Sequence, residues 1–298
     1  MTDDSPVCML CGSRESERYP PKYMNGSLWR CLDCDLRFVY PQPSLEELTD
    51  VYSEDYFSSS NSNELGYSDY EGDRSNIYRT FKRRLNYLQQ AHPGNGSVLD
   101  VGCAYGFFLE VAAEAGWDVS GVDISRHAVE RARERLGDRV QAGTFSEEEL
   151  PEQRFSVITM WDYLEHVVDP KADLAKAWRL LADDGILALA TPDVSSMAAK
   201  VFGHRWMGYK LDEHLVYFSR ATMRRFLEES GFKVINMKHE GKFISLRMFL
   251  QRLSLYAPFI KPLVNILLKV GAVPPISFYA NSRDILLVLA QKTNHADA

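Results

Sequence analysis

The sequence predicts an α/β fold in which a parallel sheet carries helices on both faces. Between residues 96 and 191, short apolar runs alternate with amphipathic segments of helical periodicity. Two of these runs end in polar motifs, one at Asp100 to Gly106 and one at Asp123. Because the carboxyl ends of parallel strands meet in one crevice, both motifs are expected to face the same ligand site.

The elements follow in chain order from apolar periodicity and from helix-capping residues. A helix near 72–91 precedes the alternation and ends before Pro93-Gly94. The next elements are strand 96–101, helix 106–116, strand 117–123, helix 125–136, strands 139–142 and 155–161, helix 170–183 and strand 185–191. A helix from Ser219 to Gly231, a strand at 232–239 and a last strand at 285–290 complete the core.

The first polar motif has the spacing of a nucleotide site that does not hold a pyrophosphate. Asp100, Gly102 and Gly106 form the pattern D-x-G-x-x-x-G, with Asp123 at the end of the next strand. A dinucleotide fingerprint needs G-x-G-x-x-G to seat a pyrophosphate on the helix N-terminus. An acid in the first loop would repel that group but attract an ammonium. We expect Asp123 to accept hydrogen bonds from ribose hydroxyls.

This pattern resembles the first two motifs of class I S-adenosylmethionine (SAM)-dependent methyltransferases. The resemblance implies SAM as cofactor and a seven-stranded, mostly parallel sheet with an antiparallel last strand. The implied cofactor-binding residues are Asp100, Gly102, Cys103, Ala104, Gly106, Asp123, Ile124, Thr144, Phe145, Trp161 and Asp162. Phe145 would either stack on the adenine or belong to the core. The family usually has glycine where Ala104 stands, so we expect a negative φ that tolerates alanine.

Two later strings resemble the substrate side of the same family. The string 160–170 has a Leu-Glu-His-Val centre, in which His166 either faces the acceptor or fixes the loop. The string 211–219 contains Glu-His-Leu-x-Tyr-Phe-Ser, and in sugar-modifying members this implies that Glu213 and His214 supply the base. A neighbouring carboxylate would hold the charged form of His214. If strand geometry turns the two side chains apart, Glu213 would instead bind a sugar hydroxyl.

Four of the five cysteines form two C-x-x-C pairs, Cys8/Cys11 and Cys31/Cys34. Their separation fits a four-cysteine zinc site, in which about 15–20 residues lie between the pairs. Two disulfides are the alternative, but the acidic, polar N-terminus is unlike a secretory signal, and we expect a reducing compartment. We therefore predict a structural Zn²⁺ that leaves no open position for catalysis. Residues 1–60 resemble the zinc-binding region of some bacterial sugar methyltransferases.

An unusual segment, 241–282, separates the last two predicted strands. The methyltransferase core would span 70–240, and the final strand and tail 283–298. Two apolar helices broken near Pro258 to Pro262 are predicted for this insertion. From Lys242 to the end the chain carries seven cations and two acids, although the whole chain has a net charge of −7. The insertion is expected to be a lid, a contact of 243–273 with an anionic membrane, or a homodimer face.

The predicted function is methyl transfer from SAM to a hydroxyl of a sugar or sugar-containing acceptor in polysaccharide biosynthesis, either small or lipid-linked. The alternatives are a sugar C-methyltransferase, a small-molecule or lipid O-methyltransferase, and a noncatalytic partner subunit with a SAM fold. The acidic net charge argues against nonspecific nucleic-acid binding. No apolar run reaches the length of about 18 residues that a spanning helix needs. We expect a cytoplasmic protein, with peripheral contact at the inner membrane face as an alternative.

Overall fold

The computed structural model of the chain describes residues 6–19, 28–44, 47–48, 52, 70–152 and 154–293. Thirteen strands and eight α-helices occur within these ranges. The strands are β1 (Ser16–Arg18), β2 (Leu28–Cys31), β3 (Arg37–Val39), β4 (Ser97–Val101), β5 (Asp118–Asp123), β6 (Val140–Ala142), β7 (Phe155–Trp161), β8 (Leu181–Pro192), β9 (Val216–Tyr217), β10 (Phe232–His239), β11 (Lys242–Ser245), β12 (Ser277–Ala280) and β13 (Ile285–Lys292). The helices are α1 (Arg74–Ala91), α2 (Phe107–Glu114), α3 (Arg126–Leu136), α4 (Pro170–Leu180), α5 (Met197–Phe202), α6 (Arg220–Glu229), α7 (Leu246–Tyr256) and α8 (Lys261–Lys269).

The central sheet has seven strands in the order β10-β13-β8-β7-β4-β5-β6. The β4–β5, β4–β7, β5–β6 and β7–β8 pairs are parallel, whereas β13 is antiparallel to both of its neighbours. The predicted sheet and its antiparallel last strand are confirmed. The order reverses at β4, so the loops that follow β4, β5 and β7 leave the same edge of the sheet.

Helices cover both faces of this sheet, as predicted. On one face Leu99 and Ile158 pack in a cluster with residues of α4 and α6. On the other face Val98 and Val157 pack in a cluster with residues of α1, α2 and α3. These strand residues are almost completely buried because adjacent side chains of a doubly covered strand enter opposite cores.

The junction of α4 and β8 corrects the sequence prediction. Helix α4 ends at Leu180 and strand β8 begins at Leu181, whereas a helix to 183 and a strand from 185 were predicted. The pairing with β7 shifts between Phe155–Leu181 and Val157–Ile186. The intervening residues form a bulge that carries two exposed aspartates. The prediction was wrong because acidic residues followed by glycine resemble the end of a helix, whereas a bulge has no sequence periodicity.

The cysteine region, which comprises residues 6–19 and 28–44, is joined to the core through a second sheet. This sheet has the order β1-β2-β3-β9. Strand β3 pairs with β9 through Phe38 and Val216, and the Val39 amide donates to the Leu215 carbonyl at 2.8 Å. The cysteine region is therefore hydrogen-bonded to the segment that directly follows His214. Residues 53–69, where its predicted boundary falls, lie outside the described residues.

The insertion contains the two predicted helices, α7 and α8, joined by a short 3-10 turn at Pro258–Ile260. It also contains a two-stranded antiparallel sheet of β11 and β12, with both helices between them in the chain, that the sequence did not predict. This small sheet rests on α1, because the Phe243 amide donates to Thr80 Oγ1 at 3.0 Å and the Arg79 guanidinium lies 3.8 Å from the centroid of the Phe243 ring. Within the described residues, no helix has both the length and the apolar character needed to cross a membrane.

Candidate active site

A cavity of about 720 Å³ opens at the carboxyl edge of β4, β5 and β7. Its wall contains His166, Glu213 and His214 and every predicted cofactor-binding residue except Gly106. The opposite wall comes from the insertion and includes Phe249 and Tyr256. The structure therefore brings the two predicted halves of the site, the cofactor motifs and the substrate strings, into one cavity.

The glycines of the first motif have different roles. Gly102 has a φ of 73°, and a Cβ there would lie 2.7 Å from Tyr163 Cδ2. Gly106 has a φ of 76° and begins α2; a Cβ there would lie 2.6 Å from Leu136 Cδ1. Gly102 lets the loop turn at the cavity wall, whereas Gly106 lets α2 pack against α3.

Ala104 corrects an expectation, because its φ is 47° and not negative. This is the left-handed region, which an L-residue with a side chain occupies at a cost of about 1–2 kcal/mol. The position therefore needs the backbone conformation for which the family uses glycine. Its amide donates to Asp123 Oδ2 at 2.7 Å, and this bond holds the strained turn in place.

The two motif acids are both buried and are held differently. Asp123 also accepts from the Ser125 amide at 2.9 Å, so main-chain donors orient its carboxylate. Asp100 accepts from Thr159 Oγ1 at 2.6 Å. Burial, opposed by this bond and reinforced by the charge of Asp123, raises the pKa of Asp100 to about 8. A buried carboxyl of this kind gains most from a cationic ligand group, and the ammonium of SAM fits that description.

Aromatic side chains form the walls of the cofactor half. Phe145 is 3% exposed and belongs to the main core cluster while it lines the cavity, so its two predicted roles are compatible. Trp161 packs edge-on against Phe108, with ring centroids 5.4 Å apart, and its buried indole nitrogen has no hydrogen-bond partner within the described residues. Tyr70, stacked on Phe107 at 5.2 Å, also lines the cavity and was missed by sequence reasoning.

His166 and His214 form a histidine pair, with ring centroids 4.7 Å apart. His166 Nδ1 lies 2.9 Å from the Glu213 carbonyl, and His214 Nδ1 lies 2.9 Å from the Gly208 carbonyl. A carbonyl can only accept, so each Nδ1 carries the proton and each Nε2 keeps a lone pair. Burial lowers the pKa of His166 to about 4 and that of His214 well below its ordinary value. Both rings are neutral proton acceptors near neutral pH.

The structure separates Glu213 from His214 and so corrects the expected carboxylate support. Glu213 is fully buried, and its Oε2 pairs with Lys210 Nζ at 3.0 Å. Besides burial, electrostatic interaction with the His166 ring and with the Lys210 ammonium lowers the pKa of His214. The charged form of His214 is therefore disfavoured. Glu213 and His214 do not lie on a strand but at the end of a turn, in which both of their amides donate to the Lys210 carbonyl. That Glu213 binds a sugar hydroxyl stays a prediction.

Two further residues at the histidine pair were missed as site residues. Glu165 is 2% exposed, and neither carboxylate oxygen has a hydrogen-bond partner within the described residues. Its Oε1 lies 3.9 Å from His166 Nε2, and burial followed by the charge of Asp162 raises its pKa to about 8. The Tyr52 hydroxyl lies 2.7 Å from His166 Nδ1. The Leu-Glu-His-Val string could have identified Glu165 as a site residue, but nothing in the sequence connects Tyr52 to a residue 114 positions away.

The four predicted metal-binding cysteines, Cys8, Cys11, Cys31 and Cys34, form one cluster. Their sulfur atoms all lie within 4.8 Å of one another, and the Cys8–Cys34 and Cys11–Cys31 pairs are 3.5 Å apart. All four thiols are free, which removes the disulfide alternative from this structure. A zinc ion with Zn–S bonds of about 2.3 Å separates its sulfur ligands by about 3.8 Å. The cluster therefore has the dimensions of a tetrahedral metal site.

Comparison with curated proteins gives relatives over part of the chain. The ubiquinone biosynthesis O-methyltransferase of Actinobacillus pleuropneumoniae serotype 5b is 32% identical over 120 residues, which is 36% of this chain and 51% of the relative. The protein of the same name from Proteus mirabilis is 32% identical over 132 residues, 41% of this chain and 54% of the relative. The chain thus spans about half the length of these relatives. Their names specify an O-methyltransferase and no sugar acceptor.

Solved structures show the same fold at low identity. The 1,6-didemethyltoxoflavin-N1-methyltransferase of Burkholderia thailandensis has a TM-score of 0.53 and 19% identity, and covers 88% of this chain and 98% of its own. A putative methyltransferase in complex with the Trm112 activator of Haloferax volcanii has a TM-score of 0.54 and 16% identity, with 76% and 93% covered. The profile of the methyltransferase-domain family matches residues 72–236, more than half of the chain. With its seven-stranded sheet and its cofactor motifs, the chain belongs to this family as a class I SAM-dependent methyltransferase.

Proposed function

We propose that this enzyme transfers the methyl group of SAM to a hydroxyl oxygen, with His214 as the base. The observation that carries the proposal is the histidine pair, in which main-chain carbonyls fix the proton on Nδ1 and leave Nε2 as an acceptor at the cavity wall. A neutral imidazole is the form that a general base requires. The names of the curated relatives support oxygen as the methylated atom.

The acceptor we propose is a sugar or a sugar-containing molecule. The support is the resemblance of the strings around His166 and His214 to sugar-modifying methyltransferases. The cavity is consistent with this class, because buried carboxyl groups of Glu165 and Glu213 lie beside the histidine pair and can accept hydrogen bonds from hydroxyls. Glu213 is fixed by Lys210, whereas Glu165 has unused acceptor atoms.

Different residues of the cavity would bind the cofactor, exclude water and accept the proton. Bound at the first motifs, SAM supplies an electrophilic methyl group. Asp123 and Asp100 hold the polar ends of the cofactor, and the aromatic walls exclude water from the reacting atoms. His214 Nε2 takes the proton of the acceptor hydroxyl as the oxygen attacks, and the imidazolium later releases that proton to solvent. Alignment of the oxygen with the methyl group supplies most of the rate enhancement.

We also propose that the cysteine cluster binds one structural Zn²⁺. Four thiolates would complete a tetrahedral shell and leave no position for a substrate. The ion would fix the turns that hold β2 and β3, and β3 in turn pairs with β9 next to His214. The role of the zinc is therefore to hold the segment that carries the base.

The test uses His214→Ala and His166→Ala, with His92→Ala as the matched control because His92 packs on Trp117 outside the cavity. Transfer from methyl-labelled SAM to lipid and soluble fractions of a bacterial extract identifies an acceptor, and purified acceptor then gives kinetic constants. Loss of a general base is expected to lower kcat by about 10²–10⁴-fold. Affinity for S-adenosylhomocysteine, measured by calorimetry, should stay unchanged.

Full turnover of both active-site variants would remove the histidine pair from the mechanism. Methylated carbon in the product, identified by NMR, would replace the O-methyltransferase with a C-methyltransferase. If the unmodified protein binds no S-adenosylhomocysteine, a noncatalytic partner subunit becomes the better interpretation.

A further inference from the structure

Two cations in the wall of the cavity form no ion pair with any residue that the structure describes. Lys242 lies on β11 and Arg252 on α7, both in the insertion, and both side chains line the cavity. Within the described residues, neither makes a hydrogen bond or an ion pair. The two are close enough for the charge of Arg252 to act on the Lys242 ammonium. We name them the cation pair.

Two other cations at this end of the cavity already have acidic partners. Arg84, which is 3% exposed, lies 3.6 Å from Asp162 and 3.8 Å from Glu240. Lys210 pairs with Glu213 at 3.0 Å. Asp162 and Asp284 also line the cavity, and within the described residues neither forms an ion pair with Lys242 or Arg252. The charge of Asp162 opposes the lowering of the Lys242 pKa without a direct contact.

Holding two unpaired cations close together in a partly buried wall costs free energy. Burial, followed by the charge of Arg252, lowers the pKa of Lys242 to about 8, which reflects this unfavourable arrangement. A bound anion would relieve both the repulsion and the burial penalty. A carboxylate carries a single charge, whereas a phosphate or diphosphate carries enough charge and acceptor oxygens for a lysine and an arginine together.

We infer that Lys242 and Arg252 bind a phosphate or diphosphate group of the acceptor. The inference rests on the proposed function, since it names the chemical class of the molecule that is methylated in the same cavity. The cofactor motifs lie on β4, β5 and β7, whereas the cation pair lies on the insertion wall. The acceptor is thus anchored by its phosphate on the insertion while its hydroxyl reaches the histidine pair.

The two sources of such a group are a soluble nucleotide-linked molecule and a phosphorylated lipid carrier. Both present the same phosphate chemistry to the cation pair. The cavity wall beside the cation pair includes Met248, Phe249 and Leu253, which suit an apolar chain. A binding experiment with one soluble and one lipid-like diphosphate separates the sources.

The experiment measures calorimetric binding of inorganic pyrophosphate, uridine diphosphate and farnesyl diphosphate to the full chain saturated with S-adenosylhomocysteine. The variants are Lys242→Met and Arg252→Gln, with Lys261→Met as the control on the exposed side of α8. Each cavity variant is expected to weaken diphosphate binding about tenfold or more, and the control should change it less than twofold. Tighter binding of uridine diphosphate indicates a nucleotide-linked acceptor, and tighter binding of the farnesyl compound a lipid carrier.

Three outcomes would overturn the inference. The unmodified protein binds no diphosphate, or Lys242→Met and Arg252→Gln bind it as tightly as the control does. In the third, the two cavity variants lose as much affinity for S-adenosylhomocysteine as for diphosphate, which would assign the cation pair to the cofactor carboxylate. The His214→Ala variant keeps this test separate from the proposed function, because it should bind diphosphate normally. If the unmodified protein binds diphosphate but His214→Ala keeps full turnover, only the role of His214 as the base is contradicted. If the unmodified protein methylates oxygen but binds no diphosphate, only the anion site is contradicted.

Discussion

The cysteine region and the insertion both extend the methyltransferase core, but they meet it in opposite ways. Leu36 and Phe38 of the cysteine region are at most 1% exposed and share a core cluster with residues of α4 and α6. The insertion leaves Phe259, Leu263, Ile266 and Val270 between 59% and 85% exposed. One extension is thus part of the core that shapes the site, and the other turns an apolar surface outward.

The outward residues of the insertion recur at intervals of three and four from the 3-10 turn at Phe259, through Leu263 and Ile266 of α8, to Val270 just after it. This spacing predicts a single stripe. Exposed Lys261 and Lys269 lie on the same helix. Within its described residues the cysteine region exposes Val7, Leu32 and Tyr40, but these lie far apart in the sequence and form no stripe along a helix. The cysteine region thus contributes to the core beside the site, whereas the insertion lines the cavity on one side and exposes an apolar stripe on another.

The largest expected effect is on the cysteine region. Cys34→Ser should lower bound zinc from one equivalent to less than half and destabilise the fold by about 3 kcal/mol or more. Methyl transfer should fall with it, because β3 holds β9 beside His214. Metal analysis under reducing conditions and urea unfolding measure both effects, with exposed Asp33→Ser as the control. A metal-free chain with normal stability would show that the cluster is not a zinc site.

The outward stripe predicts binding to anionic bilayers, with Lys261 and Lys269 supplying charge complementarity. Replacement of Phe259 and Leu263 by serine should weaken liposome binding by about 3 kcal/mol, roughly a hundredfold. Stability should change by less than about 0.5 kcal/mol, because both residues are exposed. Flotation with phosphatidylglycerol vesicles measures the partition. If the unmodified protein does not float, the stripe has another partner, and sedimentation analysis tests a dimer.

Stability against pH separates the buried site from the insertion. The folded-state pKa values of Asp100 and Glu165 are raised to about 8, so the folded protein holds these protons more tightly than the unfolded chain. The stabilisation from these protons is complete at a pH below the unfolded-state pKa values, and it is lost as the pH rises through about 8. The pKa of His166 is lowered to about 4, so this residue affects stability only below about pH 6.5. In that range stability falls as the pH falls. Between these limits the cofactor-free protein should lose up to about 1.4 kcal/mol per pH unit for each carboxyl group.

Urea unfolding at several pH values tests this slope. Asp100→Asn and Glu165→Gln should each reduce it, and the stripe variant should leave it unchanged. A slope that persists in both carboxyl variants would place the titrating groups elsewhere.

The smallest expected effect is at Ala104, in the core loop between the two extensions. Ala104→Gly should raise stability by about 0.5–1 kcal/mol, because the left-handed conformation no longer strains a side chain, although the unfolded chain gains entropy. Thermal unfolding measures the change, and Ala113→Gly, in the last turn of α2, serves as the opposite control. A destabilised Ala104→Gly variant would show that the alanine side chain contributes packing that outweighs the strain.

The sequence by itself determined the sheet, the helices on both faces, the cofactor motifs and the cysteine cluster. Periodicity and motif spacing are local properties, and the carboxyl ends of parallel strands must meet at one edge. For the same reason Asp100, Asp123 and Trp161 could be assigned to one cavity before the structure was known.

Only the tertiary structure decided the conformation of Ala104, the contact between Tyr52 and His166, the pairing of Glu213 with Lys210 and the place of the cation pair in the cavity wall. Each depends on which side chains from distant segments share a buried volume. The pairing of β3 with β9 depends likewise on two strands separated by most of the chain. Burial and charge pairing are sums over such neighbours, and a linear pattern does not contain them.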